Sequence, residues 1–164
     1  MEKQELNEIK REYPIERIKG VLSQFKKTKV LVIGDTIIDE YHFTIPKGRA
    51  TKDPILSVDY IRHETYAGGI LAIANHISDF VDKVTCVTLL GDHEDRKEFI
   101  MKSLNDNVSL KFFIKENSQT TIKKRYLSIA HNEKLFKVEH INDIPISGEL
   151  EQKFIDLLQQ ELPK

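Results

Sequence analysis

KVLVIGDTIIDEY, residues 29–41, decides how the rest of the chain is read. Val30 to Ile33 is an unbroken run of β-branched and aliphatic residues, stopped by Gly34 and Asp35. A continuous apolar run of that length suits a strand buried on both faces, as in a parallel sheet covered by helices. Upstream, residues 5–26 read as helical. Pro14 opens a second helix there, and its apolar positions Ile15, Ile18, Val21, Leu22 and Phe25 recur at helical intervals.

Downstream, residues 41–66 form a long non-helical stretch in which YHFTI and ILSVDYI flank PKGRATKDP. Short β-rich flanks around Pro, Gly and charge predict a two-stranded excursion from the main sheet, a flap able to cover a site. Residues 69–81 then read as an apolar helix and Val84 to Leu90 as a second buried strand, which completes a βαβ unit with the first. GDHEDRKEFIMKSL predicts a further helix capped by Asp92. SLKFFIK, TTIKKRYLSI and KLFKVEHI are strand-like, separated by ENSQ and AHNE, and predict a meander or paired extension. A last amphipathic helix spans residues 147–162, so the alternation implies an incomplete sheet.

Composition narrows the function. The 164 residues carry 25 Lys and Arg against 26 Asp and Glu, a net charge of −1, which gives no electrostatic case for nucleic acid or an anionic membrane. Small polar ligands fit better. The single cysteine, Cys86, lies within VTCVTLL, so no intrachain disulfide forms and the reducing cytoplasm is the expected compartment. The N-terminal segment is charged and lacks an apolar core, and no run approaches the roughly 18 apolar residues of a membrane span. The six histidines show no metal-ligand spacing, and GxSxG, Walker A and GxGxxG motifs are absent.

Three features carry candidate chemistry. Asp35 and Asp39 flank the carboxyl end of the first strand, the edge at which open α/β sheets bind ligands, and a carboxylate there accepts hydrogen bonds from a polyol. On spacing alone the plainer reading leads, with Asp35 capping a turn and Asp39 solvated in a loop. Gly68 and Gly69 open the apolar helix, where bare backbone N–H groups suit a hydroxyl or phosphate, or simply make a tight turn. Lys123 and Arg125 share one face of a strand with Lys124 on the other, an arrangement that holds a phosphate or merely guards a strand edge.

The order of these elements resembles the ribokinase-like (PfkB-type) carbohydrate kinases, and most of all the sugar-kinase domain of the bifunctional enzymes of ADP-heptose synthesis. The likeness runs from about Lys29 to about Ile141 through VLVIGDTIIDEY, YAGGILAIANHI, VTLLGD and TTIKKRYLS…KLFKVE. It implies a three-layer αβα fold with a β lid at about 41–62, in which residues 29–164 are the amino-terminal half of a kinase domain, preceded by a helical extension over 1–28. It also implies a sugar or sugar-phosphate substrate, with Asp39 and Asp35 at its hydroxyls, Gly68 and Gly69 closing on the ring, and Lys123 and Arg125 at a phosphate.

ATP and Mg²⁺ serve the intact enzyme in this reading, and this chain alone is expected to hold neither strongly. A homodimer through the lid or the exposed sheet edge is expected. Two departures stand out. Ala72 occupies the place of the family's sugar-binding asparagine, and nothing after Ile141 resembles the GAGD-type motif that supplies the general base. Phosphoryl transfer needs that base, a nucleotide cradle and a metal, so the chain by itself is expected to be inactive. The competing readings are a non-catalytic carbohydrate-binding or assembly module on the same scaffold, and an unrelated α/β interaction domain.

Overall fold

The computed structural model describes residues 3–50, 52–131, 133–141 and 143–162. Met1 and Glu2 of the amino-terminal extension, Thr51 of the predicted flap, Asn132 of the predicted AHNE turn, Asn142 and the last two residues lie outside them. Two helices, α1 (Lys3–Glu12) and α2 (Ile15–Phe25), come first, with Pro14 at the N-cap of α2. The apolar positions of α2 are all exposed, and a backbone bond from Asp82 N to Lys26 O follows it.

The parallel sheet has the order β1 (Lys29–Ile33), β4 (Lys83–His93), β5 (Val108–Gln119). Parallel neighbours need a crossover, and α3 (Ile70–Ser78) supplies the one between β1 and β4. This helix buries Ile70, Leu71, Ala74 and Ser78, a stripe at helical spacing, against Val32, Val84, Cys86 and Leu90 of the sheet. Each fully buried Leu or Val contributes on the order of 1.5–3 kcal/mol relative to exposure. Short α4 (Lys97–Ser103) adds Ile100 to the same core. Along β5, Leu110 and Phe112 pack on that core while Lys111 and Phe113 alternate away from it. They meet Glu161 and Phe154 of α5 (Gly148–Glu161) on the opposite face of the sheet. Helices therefore cover both faces, the three-layer arrangement expected.

The lid is larger than its two predicted flanking strands. β2 (Thr36–Arg49) and β3 (Leu56–Gly69) form a long antiparallel pair, and β6 (Thr121–Ser128) and β7 (Glu133–His140) extend it to the four-stranded order β3-β2-β6-β7. β2 and β6 run parallel. The three carboxy-terminal strands are thus not a meander: β5 completes the parallel sheet, while β6 and β7 form the paired extension and join the lid.

The passage between the two sheets is abrupt. Only Gly34 and Asp35 separate β1 from β2, and only Thr120 separates β5 from β6. Thr88 pins the first junction, with its Oγ1 2.7 Å from Gly34 O and 2.9 Å from Thr36 Oγ1. At the second, Gly91 N donates to Thr120 Oγ1 at 3.1 Å, and a Cβ on Gly91 would collide with the Ser118–Gln119 backbone. Asp92 does not cap α4 as predicted. β4 continues through it, and its carboxylate accepts from the backbone N–H groups of Asn117 (2.8 Å) and Ser118 (3.0 Å). The residue at the N-cap of α4 is Arg96, in the left-handed conformation at φ 55°.

Candidate functional site

The junctions bring the lid down on the carboxyl end of the parallel sheet. A hollow of about 280 Å³ opens there, lined by Asp35, Ile37, Gly91, Thr121, Lys123 and Asp143 among others. Of the six residues singled out in the sequence, Asp35 and Lys123 line it. Asp39, Gly68, Gly69 and Arg125 are adjacent but lie outside its wall.

Asp39 is neither at a strand tip nor in a loop. It stands within β2, directly paired with Tyr66 of β3 on one side and with Lys123 of β6 on the other. Side chains alternate along a strand, so Ile37, Asp39 and Tyr41 share one face with Lys123 and Arg125, and Lys124 projects to the other. The ion pairs follow this division. Arg125 donates to Asp39, and Lys123 faces Glu139 at 3.8 Å, while Lys124 faces Glu40 on the opposite side at 3.8 Å. The Asp39 hydrogen bond raises the pKa of Arg125 above its ordinary value, and its guanidinium lies 5.3 Å from the Tyr41 ring centroid. Glu139 titrates below the usual carboxylate range, chiefly through its hydrogen bond from Lys137.

The paired glycines close on the chain itself. A Cβ on Gly68 would collide with Asp39 Oδ2, and one on Gly69 would collide with the carbonyl oxygen of Asp35. Gly69 has φ 57° and ψ −133°, a conformation open essentially to glycine. It ends β3 and serves as the N-cap of α3, whose first N–H, that of Ile70, donates to Asp35 O at 3.0 Å. The glycines therefore seat the Asp39 carboxylate and the Asp35 backbone side by side.

Ala72 offers no hydrogen-bonding side chain, and Asn75 does not replace it. Asn75 Nδ2 donates to Ser103 O (2.7 Å) and its Oδ1 accepts from Asn105 N (3.0 Å), which ties α3 to the end of α4.

Three neighbours of Asp39 were missed in the sequence. Tyr66 lies beside it and is half exposed, with its hydroxyl donating to Glu64 at 2.6 Å. Tyr41 meets Tyr66 edge to face at 5.7 Å. On the reverse face, buried Glu40 gathers His42 (3.1 Å), Arg96 (3.5 Å) and Lys124 (3.8 Å). The alternation of ETY (64–66) and DEYH (39–42) was the available signal, since it places each aromatic ring on a definite face.

A three-layer parallel domain whose first strand turns directly into a β lid is the ribokinase-like fold of solved sugar kinases, and this chain has part of that fold. In particular, it is similar to the bifunctional protein HldE of Trichlorobacter lovleyi, 25% identical over 145 residues, covering 88% of this chain and 29% of the relative. HldE of Hyphomonas neptunium is 23% identical over 148 residues, covering 90% and 30%. The chain thus spans about 30% of the length of the curated relatives it matches. Among solved structures, a protein assigned as a sugar kinase from Clostridium perfringens superimposes with a TM-score of 0.59 at 17% identity, over 82% of this chain and 42% of that one. Phosphofructokinase-2 from Escherichia coli, in complex with substrates and products, gives 0.50 at 13% identity over 82% and 41%. No protein-family model matches the chain. No helix among the described residues is long and apolar enough to cross a membrane.

Proposed function

We propose that this chain is the sugar-binding and lid portion of an ATP-dependent carbohydrate kinase acting on a sugar or sugar phosphate. The observation that carries the reading is the seating of Asp39, an acid held between Gly68 and Arg125 on the lid strand that follows directly from the first parallel strand. A carboxylate fixed in this way accepts hydrogen bonds from vicinal hydroxyls, and the hydrogen bond from Arg125 orients it. Lys123 and Asp35 line the adjoining hollow, where Lys123 meets a phosphate and Asp35 a further hydroxyl. The resemblance to the sugar-kinase domain of ADP-heptose synthesis leads us to read the substrate as a sugar phosphate rather than a simple sugar.

The same reading takes ATP and Mg²⁺ as requirements of the intact enzyme. Among the described residues no three His, Cys, Asp or Glu side chains cluster to hold a metal ion. It also includes a cytoplasmic location and a homodimer through the lid, on which Tyr60, Ile61, Phe136 and Val138 are 41–55% exposed. A second reading, a carbohydrate-binding module without catalysis, is favoured by Ala72 and by the engagement of Asn75 with Ser103 and Asn105.

Calorimetric titration of the chain with phosphorylated and unphosphorylated hexoses and heptoses tests the binding role. Asp39→Asn is expected to weaken every sugar by at least about tenfold, the loss of a charge-assisted hydrogen bond. Lys123→Ala is expected to weaken only the phosphorylated ones. It is a cleaner probe than Arg125→Ala, because Arg125 also holds Asp39. Equal losses for both kinds of sugar reject the phosphate role, and an Asp39→Asn variant with unchanged affinities rejects the reading.

A further inference from the structure

We propose that Tyr66 is a stacking platform for the C–H face of a pyranose ring, and that it selects six-membered cyclic sugars over open-chain polyols at the Asp39 site. The inference rests on the sugar-binding reading above. Three observations lead to it. Tyr66 stands directly opposite Asp39 in the β2–β3 register, so ring and carboxylate project from one face of the lid as immediate neighbours. The ring is 51% exposed despite its size, while Tyr41 beside it already has Arg125 near its face. Finally, the Tyr66 ring is oriented at both ends. Its hydroxyl donates to Glu64 Oε2 at 2.6 Å, and Tyr41 meets it edge to face at 82°.

An exposed aromatic ring held in one orientation beside a hydrogen-bonded carboxyl group matches the two-sided chemistry of a pyranose. Such a sugar presents equatorial hydroxyls at its rim and a patch of C–H groups on its face. The electron-rich face of a tyrosine attracts those polarised C–H groups, and the neighbouring carboxylate takes the rim hydroxyls. An open-chain polyol phosphate offers the same hydroxyls and charge, but it has no preformed C–H face and has conformational entropy to lose on binding.

The chain contains no tryptophan, so Tyr66→Trp places a single indole reporter at the platform. D-mannose 6-phosphate and D-mannitol 6-phosphate are titrated into the wild-type chain and into Tyr66→Ala, Tyr66→Phe, Tyr66→Trp and Asp39→Asn variants, each checked for folding by circular dichroism. Tyr66→Ala is expected to weaken the mannose phosphate by about three- to tenfold and the mannitol phosphate by less than about twofold. Tyr66→Phe, which keeps the ring but loses the bond to Glu64, is expected to bind like the wild type. Tyr66→Trp is expected to bind at least as tightly, with an indole fluorescence change at saturation. Unchanged mannose phosphate affinity in Tyr66→Ala, or equal losses for both ligands, overturns the platform. If Asp39→Asn abolishes binding while Tyr66→Ala is silent, this inference alone falls. If Asp39→Asn is silent, or the wild type binds neither ligand, the sugar reading falls and the platform with it.

Discussion

The Asp39 carboxylate occupies the space that a side chain on Gly68 would fill, so the acid and the missing methyl are two halves of one packing arrangement. The neighbouring Gly69 faces backbone instead, the Asp35 carbonyl, at a positive φ. Alanine at the two positions should therefore act differently. Gly68→Ala displaces a movable carboxylate and is expected to leave stability within about 1 kcal/mol of wild type while lowering sugar affinity as Asp39→Asn does. Gly69→Ala, strained and pressed on a fixed carbonyl, is expected to lose about 1–3 kcal/mol in urea unfolding. A Gly69→Ala chain no less stable than Gly68→Ala would contradict this account of the bend.

Asn75 gives the opposite pairing of effects. Removing its two hydrogen bonds, to Ser103 O and from Asn105 N, leaves the partly buried Ser103 carbonyl and the exposed Asn105 N–H without these partners. Asn75→Ala is expected to cost about 1–3 kcal/mol of stability. Sugar affinity, measured on the folded chain, should not change. A selective loss of affinity at full stability would instead make Asn75 a ligand residue.

Acid sensitivity should carry the mark of Asp92. The backbone N–H of Asn117, reinforced by that of Ser118, holds its carboxyl below the ordinary value of 3.8. A depressed folded value means that the stabilisation is fully present above the unfolded pKa and is lost as pH falls through the folded one. The stability difference between wild type and Asp92→Asn is therefore expected to be constant near neutrality and to shrink below about pH 4. A difference that widens in acid would show that the two backbone bonds do not favour the charged form.

Cys86 is fully buried, and burial pushes its thiol up from 9.0 to about 11. Raised in the folded state, it contributes stability that is complete below the unfolded pKa and falls away as pH climbs towards 11. Cys86→Ala should flatten that alkaline limb. At pH 8 a thiol reagent is expected to modify the wild-type chain only as fast as the core opens, with urea accelerating the reaction. Prompt labelling of the native chain would place Cys86 nearer the surface than the core packing has it.

The elements legible in the sequence were those with local signatures. The apolar run Val30–Ile33 announced a parallel strand, Pro14 divided the two amino-terminal helices, and Ser147 caps α5 through a bond from Leu150 N. What escaped depends on partners distant in the chain. SLKFFIK and TTIKKRYLS look alike as strands, yet they belong to different sheets, a division made by the close approach of Gly91 to Gln119 and the hydroxyl of Thr120. An Asp ahead of a helix reads as a cap, and the two N–H groups that instead engage Asp92 lie 25 and 26 residues downstream. The residue types of the candidate site were readable from GD…D, GG and KKR. Its geometry was not, because Asp39 was taken to stand at a strand tip and proved to lie within a lid strand, flanked by two others.

The parallel pairing of β2 with β6 also sets the timing of assembly. Asp39 and Arg125 lie 86 residues apart, so a chain emerging from the ribosome carries its acid long before the cation that holds it. Until β6 arrives, β2 has an unpaired edge, with its N–H and C=O groups open to other chains. Closing so long a loop is slow, so the candidate site is a late product of folding, and the half-built lid is the point at which chaperones or aggregation would first intervene.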